Sequence, residues 1–141
     1  MACCWLRPTM EGHAVGKGHA EIEIDKPADT VWAVAGTFGG LDGWMPGIES
    51  CEVQGDDRII KTMGMVITEH LLSRDDATME IVYGITDGVP VGSHTATITV
   101  APRGDGSFVT WDVEVEPDDM TDLLQGMYQQ SLQALKDHVG G

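Results

Sequence analysis

Glu69 lies in the stretch Val66-Ile67-Thr68-Glu69-His70-Leu71-Leu72. If this stretch is a strand, its side chains alternate between two faces, and Glu69 shares a face with Ile67 and Leu71. A carboxylate on an apolar face is costly unless something pairs with it or uses it. Desolvation moves such a carboxyl toward neutral pKa, where it can pass a proton at physiological pH, and a nearby cation opposes that shift. Alternation in DDRIIKTM groups Ile59, Lys61 and Met63 on one face. A short turn near Gly64-Met65 then brings Lys61 opposite or diagonal to residues 68–69. A Lys61–Glu69 pair on one apolar face is therefore expected, either as an ion bridge at a cavity rim or as an acid/base pair. A bulge that turns Glu69 outward is the other outcome.

His94 opens SHTATITVAP, whose other inward residues are Ala96, Ile98 and Val100. It is expected at the mouth of a pocket, as a structural side chain or as a group that polarises an oxygen. Tyr83 alternates with Ile81 and Ile85, so its hydroxyl is placed to orient a carbonyl, or its ring to fill the core. Other chemistries lack their patterns. There is no GxSxG, P-loop or dinucleotide fingerprint, and the Gly-rich GHAVGKGHAE has the wrong spacing. No HxxxH or HExxH is present; His13 and His19 fall near the start and His70 on a solvent face, so no metal site is expected. Cys3, Cys4 and Cys51 are odd in number without a CxxC, which reads as free thiols in a reducing cytoplasm.

The elements that must position these groups follow from periodicity. HAEIEID alternates cleanly as a half-buried strand. In KPADTVWAVAGTF, Pro27 suits the first turn of a helix and Asp29 its positive end. LDGWMPG reads as a second short helix. Six strands come next: IESCEVQ, the hairpin DDRIIKTM/MVITEHLL, TMEIVYGIT, SHTATITVAP and SFVTWDVEVEP. The last strand puts Val109, Trp111, Val113 and Val115 on one face. The final segment is a long amphipathic helix with Asp118 as its N-cap. Leu124, Met127, Ser131 and Leu135 recur along it at helical spacing, flanked by Leu123, Tyr128 and Leu132. An antiparallel sheet needs a cover for its apolar face, and only this helix is long enough to supply one. With two Phe and two Tyr in the chain, a cavity between sheet and helix is expected rather than a filled core.

The whole chain is 141 residues, about one domain, with residues 1–17 read as a leader and 18–141 as a single domain; Met10 is an alternative start. A net charge of −15 repels phosphate backbones and anionic headgroups, so neither nucleic acid nor a membrane is an expected partner. No apolar run reaches the ~20 residues of a membrane helix, and the start lacks a secretory signal.

The segment KPADTVWAVAGTFGGLDGWMPGIESCEV resembles the opening of the START-like, polyketide cyclase/dehydrase superfamily, with its Pro-Ala-x-x-Val-Trp helix and Trp-x-Pro turn. The likeness continues through VITEHLLSRDD, YGITDG, HTATITVAP, TWDVEVEP and MYQQSLQALK, over roughly residues 18–139. It implies an α+β helix-grip fold: about seven curved antiparallel strands around a long C-terminal helix, with two short helices after strand 1. It also implies a small hydrophobic molecule as partner, bound by a cytoplasmic monomer or homodimer without a cofactor. Glu69 matches the glutamate that lines the pocket of the superfamily's lyases and cyclases, and Lys61 stands where many relatives have arginine. Catalytic roles are accordingly expected for Glu69, Lys61, His94 and Tyr83. The binding wall is expected from Trp44, Ile67, Leu71, Ile81 and Trp111, and from Leu124, Met127, Tyr128 and Ser131 on the helix. Val89 and Pro90 lie in a Gly-bracketed loop expected to form a lid. The function implied is a cyclase, dehydratase or isomerase-type step on a hydrophobic or polyketide-like carbonyl compound, or else carriage of such a ligand.

Overall fold

The computed structural model describes residues 14–141. Residues 1–13, most of the expected leader, with Cys3, Cys4, Met10 and His13, lie outside the described residues. Strand β1 (Gly16–Ile24) already includes Gly16 and Lys17, so the sheet starts two residues before the expected domain boundary. Helix α1 (Ala28–Ala35) follows, with Pro27 just outside it as N-cap and its carbonyl accepting from Thr30 and Val31. A single 3₁₀ turn, Leu41–Gly43, forms the second short helix.

Six strands complete the sheet: β2 (Ile48–Gln54), β3 (Asp57–Thr62), β4 (Met65–Asp75), β5 (Glu80–Asp87), β6 (Ser93–Arg103) and β7 (Gly106–Glu116). All neighbours are antiparallel, in the order β1-β7-β6-β5-β4-β3-β2. Chain-adjacent hairpins thus build most of the sheet, and β1 closes it by pairing with β7. Helix α2 (Thr121–Val139) crosses the β1–β7 side. This is the helix-grip architecture. Asp118 does not cap α2; it opens a 3₁₀ turn, Asp118–Met120, that leads into the helix. The other end stops at Gly140, where φ is 85° and the amide bonds back to the Lys136 carbonyl.

Beneath α2 the core combines Val109, Trp111, Val113 and Val115 of β7 with Ala96, Ile98 and Val100 of β6 and Val31 and Trp32 of α1. The buried stripe of α2 is Leu124, Tyr128, Ser131, Leu132 and Leu135. On one flank, Gln125 and Gln129 reach the free edge of β1. The His19 amide donates to Gln125 Oε1, and Gln129 Nε2 donates to the Glu21 carbonyl. The opposite flank carries Leu123 and Met127, both exposed. Among the described residues, no helix is long and apolar enough to cross a membrane.

Candidate active site

The turn between β3 and β4 decides what meets Glu69. Thr62 faces Met65 across a two-residue loop, Met63-Gly64, with φ of 49° and 78°. Two positive φ values make this the tight hairpin turn whose twist matches the strands. Facing residues in this register have opposite parity: Lys61 faces Val66, Ile60 faces Ile67, and Arg58 faces Glu69. Lys61 therefore projects outward, and the expected Lys61–Glu69 pair does not form. Arg58 is the partner instead.

The Arg58–Glu69 pair is buried, with side-chain exposures of 5% and 12%. Arg58 Nε and Nη2 both donate to Glu69 Oε1 at 2.7 Å, and Nη1 donates to the Phe38 carbonyl at 2.8 Å. The guanidinium lies between two rings, 4.4 Å from the Phe38 centroid and 4.6 Å from that of Tyr83. Such stacking suits the flat, weakly hydrated guanidinium better than an ammonium. Burial pushes the Glu69 carboxyl above its usual range, while the charge and hydrogen bond of Arg58 pull it back. With Oε1 fully engaged, Oε2 accepts no hydrogen bond among the described residues.

Next to this pair, β5, β6, β7 and α2 contribute a second polar group. Tyr83 is buried, and Trp111 Nε1 donates to its hydroxyl oxygen at 3.1 Å. Trp111 stacks on Tyr128 with ring centroids 4.3 Å apart and nearly parallel planes. His94 Nε2 lies 2.8 Å from the Tyr128 hydroxyl. The β5–β6 ladder ends at Tyr83–Ala96, and beyond it the Ile85 amide donates to His94 Nδ1 at 3.2 Å. Burial lowers the His94 pKa to about 4, so the ring is neutral at pH 7. Burial likewise raises the pKa of Tyr83 and of Tyr128, so both hydroxyls keep their protons.

The structure thus brings Glu69, Tyr83, His94, Trp111 and Tyr128 to one interior. Ile81 is buried beside them, Ile67 is half-buried opposite Ile60, and Leu71 packs on the core. Leu124 and Ser131 lie on the buried stripe of α2, and Trp44 is a half-buried core neighbour. Met127 is displaced from the expected wall: it is 43% exposed, because Tyr128, one residue on, takes the inward position. Val89 is half-buried and Pro90 exposed in the β5–β6 loop. Arg58, Tyr83, His94, Trp111 and Tyr128 are buried in, and occupy much of, the space expected to be hollow. Two surface hollows of about 450 and 500 Å³ lie elsewhere, around the Arg103–Gly106 turn at the far ends of β6 and β7. Arg58 is the residue that sequence reading missed, and its signal was the two-residue turn.

Residues 16–140 match the family described as polyketide cyclase / dehydrase and lipid transport. No curated protein matches the chain. Among solved structures, the protein XoxI of Bacillus cereus is 26% identical with a TM-score of 0.82, over 86% of this chain and 94% of that one. A START superfamily protein of Mycobacterium smegmatis is 18% identical at a TM-score of 0.74, over 87% and 96%. Norcoclaurine synthase of Thalictrum flavum, in complex with dopamine and hydroxybenzaldehyde, is 19% identical at 0.72, over 99% and 92%. At such identities the last two likenesses are of fold alone.

Proposed function

Since the chain belongs to the polyketide cyclase / dehydrase and lipid transport family, we propose that it binds a small hydrophobic carbonyl compound between sheet and α2 and moves a proton on it. The observation that carries this reading is the divided carboxylate. Arg58 fixes Glu69 through Oε1 alone, and Oε2 accepts no hydrogen bond among the described residues. A carboxylate held this way is positioned, partly desolvated and still basic. Glu69 Oε2 takes a proton from the carbon next to the carbonyl and returns it at another atom, which serves cyclisation, dehydration or isomerisation without a cofactor. Arg58 takes the place beside Glu69 that was expected of Lys61. A hydroxyl of the Tyr83–Tyr128 group meets the carbonyl oxygen, because both ring nitrogens of His94 are already engaged.

The direct test is exchange of the α-protons of acetophenone and aliphatic ketones in deuterated water, followed by NMR. General acid/base placement is worth about 10²–10⁴-fold in rate, so Glu69→Gln is expected to lose at least a hundredfold. A loss below tenfold in a folded variant overturns the catalytic role.

A carrier is the second reading, supported by the lipid transport in the family's description. It predicts a ligand retained unaltered through purification and visible by native mass spectrometry, with no exchange of ketone protons.

A further inference from the structure

On the outer face of the β1–β7 pair, one histidine ring meets two carboxylates. His19 Nδ1 lies 2.5 Å from Asp112 Oδ1 of β7, and Nε2 lies 2.8 Å from Glu21 Oε1 of β1. A carboxylate only accepts, and a neutral imidazole carries one ring hydrogen, so it satisfies one of these contacts. The other would set a bare nitrogen against a carboxylate oxygen. Both contacts are attractive only when the ring is an imidazolium between two anions. The carboxylates accordingly hold the His19 pKa above 6.5, Asp112 most of all through its hydrogen bond. All three side chains are about half exposed, so the proton exchanges with solvent.

The same two residues of β1 fasten the helix. The His19 amide donates to Gln125 Oε1 at 2.9 Å and the Glu21 amide to Gln129 Oε1 at 3.4 Å, while Gln129 Nε2 donates to the Glu21 carbonyl at 3.0 Å. Strand β1 ends the sheet, so among the described residues β7 is its one strand neighbour. Little replacement charge surrounds the ring. Lys17 faces Glu114, Arg103 lies 3.5 Å from Glu23, Thr110 faces Glu21, and Thr97 of β6 faces Asp112. From α2 the groups at this edge are the neutral Gln125 and Gln129, with acidic Asp122 three residues before Gln125. A neutral His19 leaves two anions together on a chain whose net charge is already −15.

We propose that His19 is a pH-sensitive clasp: protonated, it bridges Glu21 and Asp112 and steadies β1 with the helix fastened to it, and on deprotonation it lets that edge loosen. The stabilisation is full below the unfolded value of 6.5 and is lost as pH rises through the higher folded value. The clasp works whatever the interior binds, and it reaches the candidate site through α2, which carries Tyr128.

The test is NMR on the full chain, with ¹⁵N-labelled histidine for the ring and amide hydrogen exchange for the backbone. At pH 6 both His19 ring nitrogens are expected to carry hydrogen. The ring is expected to titrate at a higher midpoint in the wild type than in Asp112→Asn. The His19 and Glu21 amides point to the glutamines, so their protection reads the fastening directly. Corrected for the intrinsic pH dependence of exchange, that protection is expected to fall about two- to fivefold between pH 6 and pH 9, the size of an exposed ion pair. In His19→Gln it is expected to stay level. A bare His19 nitrogen at pH 6, or equal midpoints in wild type and Asp112→Asn, overturns the clasp. Level protection in the wild type, or an equal fall in His19→Gln, overturns its hold on the helix. If His19→Gln does not fold, Asp112→Asn takes its place, with a smaller fall expected than in the wild type and an equal one refuting the hold.

Discussion

Replacing Arg58 with methionine removes the counter-charge of Glu69 and leaves most of the surrounding apolar contact in place. It takes away two 2.7 Å bonds to Glu69 Oε1 and one 2.8 Å bond to the Phe38 carbonyl. Breaking a buried pair by removing one partner costs about 3–5 kcal/mol, because the remaining charge is stranded. An unpaired Phe38 carbonyl adds about 1 kcal/mol. We expect a loss of about 4 kcal/mol at pH 7 by urea unfolding, or about 10 °C in Tm for a chain of this size. Adding Glu69→Leu removes the stranded charge, so the double variant is expected to be more stable than Arg58→Met alone. The coupling across the cycle is expected to be about 2 kcal/mol. The pH dependence has a definite sign. In Arg58→Met, burial holds the folded pKa of Glu69 above its unfolded value near 4.5. The native state then takes up a proton that the unfolded chain does not, and the deficit shrinks as pH falls from 7 toward 4.5. Effects that add within about 0.5 kcal/mol, or a deficit that grows on acidification, would refute the buried-pair reasoning.

His94 has the opposite linkage. Its folded pKa of about 4 lies below the ordinary 6.5, so its contribution is full above pH 6.5 and is lost as pH falls toward 4. The wild type is expected to lose roughly 3 kcal/mol more than His94→Gln across that window, at 1.36 kcal/mol per unit; parallel urea-derived curves would contradict the burial of a neutral ring. Lys61→Met is expected to change stability by less than about 0.5 kcal/mol and to leave ketone exchange intact; a loss like that of Glu69→Gln would mean the β3–β4 register is wrong. Gly88 has φ of 95°, and a Cβ there would come within 2.1 Å of the Val66 carbonyl oxygen. Gly88→Ala is therefore expected to cost at least about 2 kcal/mol in thermal melts.

Strand periodicity alone reaches the order of the elements, the long covering helix and the inward face of β6 and β7, because His94, Ala96, Ile98, Val109 and Trp111 alternate without ambiguity. The β3 strand is different. Ile59 and Ile60 are adjacent aliphatics, so either parity of DDRIIKT gives an apolar face, and Lys61 on one side competes with Arg58 on the other. Only the length of the turn resolves the choice, since one residue of slip exchanges the two faces. Helix α2 poses the same problem at another period: Leu123–Met127 and Leu124–Tyr128 are both spaced by four, and the position of β1 under the helix decides which pair is buried. The filling of the interior was hidden for a further reason. It depends on an arginine between two rings and on a histidine bonded to a strand end, pairings across distant segments that no local pattern encodes.

The glutamines on α2 have a consequence for how so full an interior admits anything. A side-chain amide offers the same donor and acceptor as a peptide unit, and Gln129 pairs with Glu21 much as a neighbouring strand would. Together with Gln125 at His19, it forms a tethered imitation of an eighth strand along β1. A helix fastened along that flank, with exposed Leu123 and Met127 along the other, is held to the sheet by polar bonds at its β1 edge. Toward the sheet's middle, Tyr128 is bonded to His94 of β6, so separating helix from sheet there would break that bond.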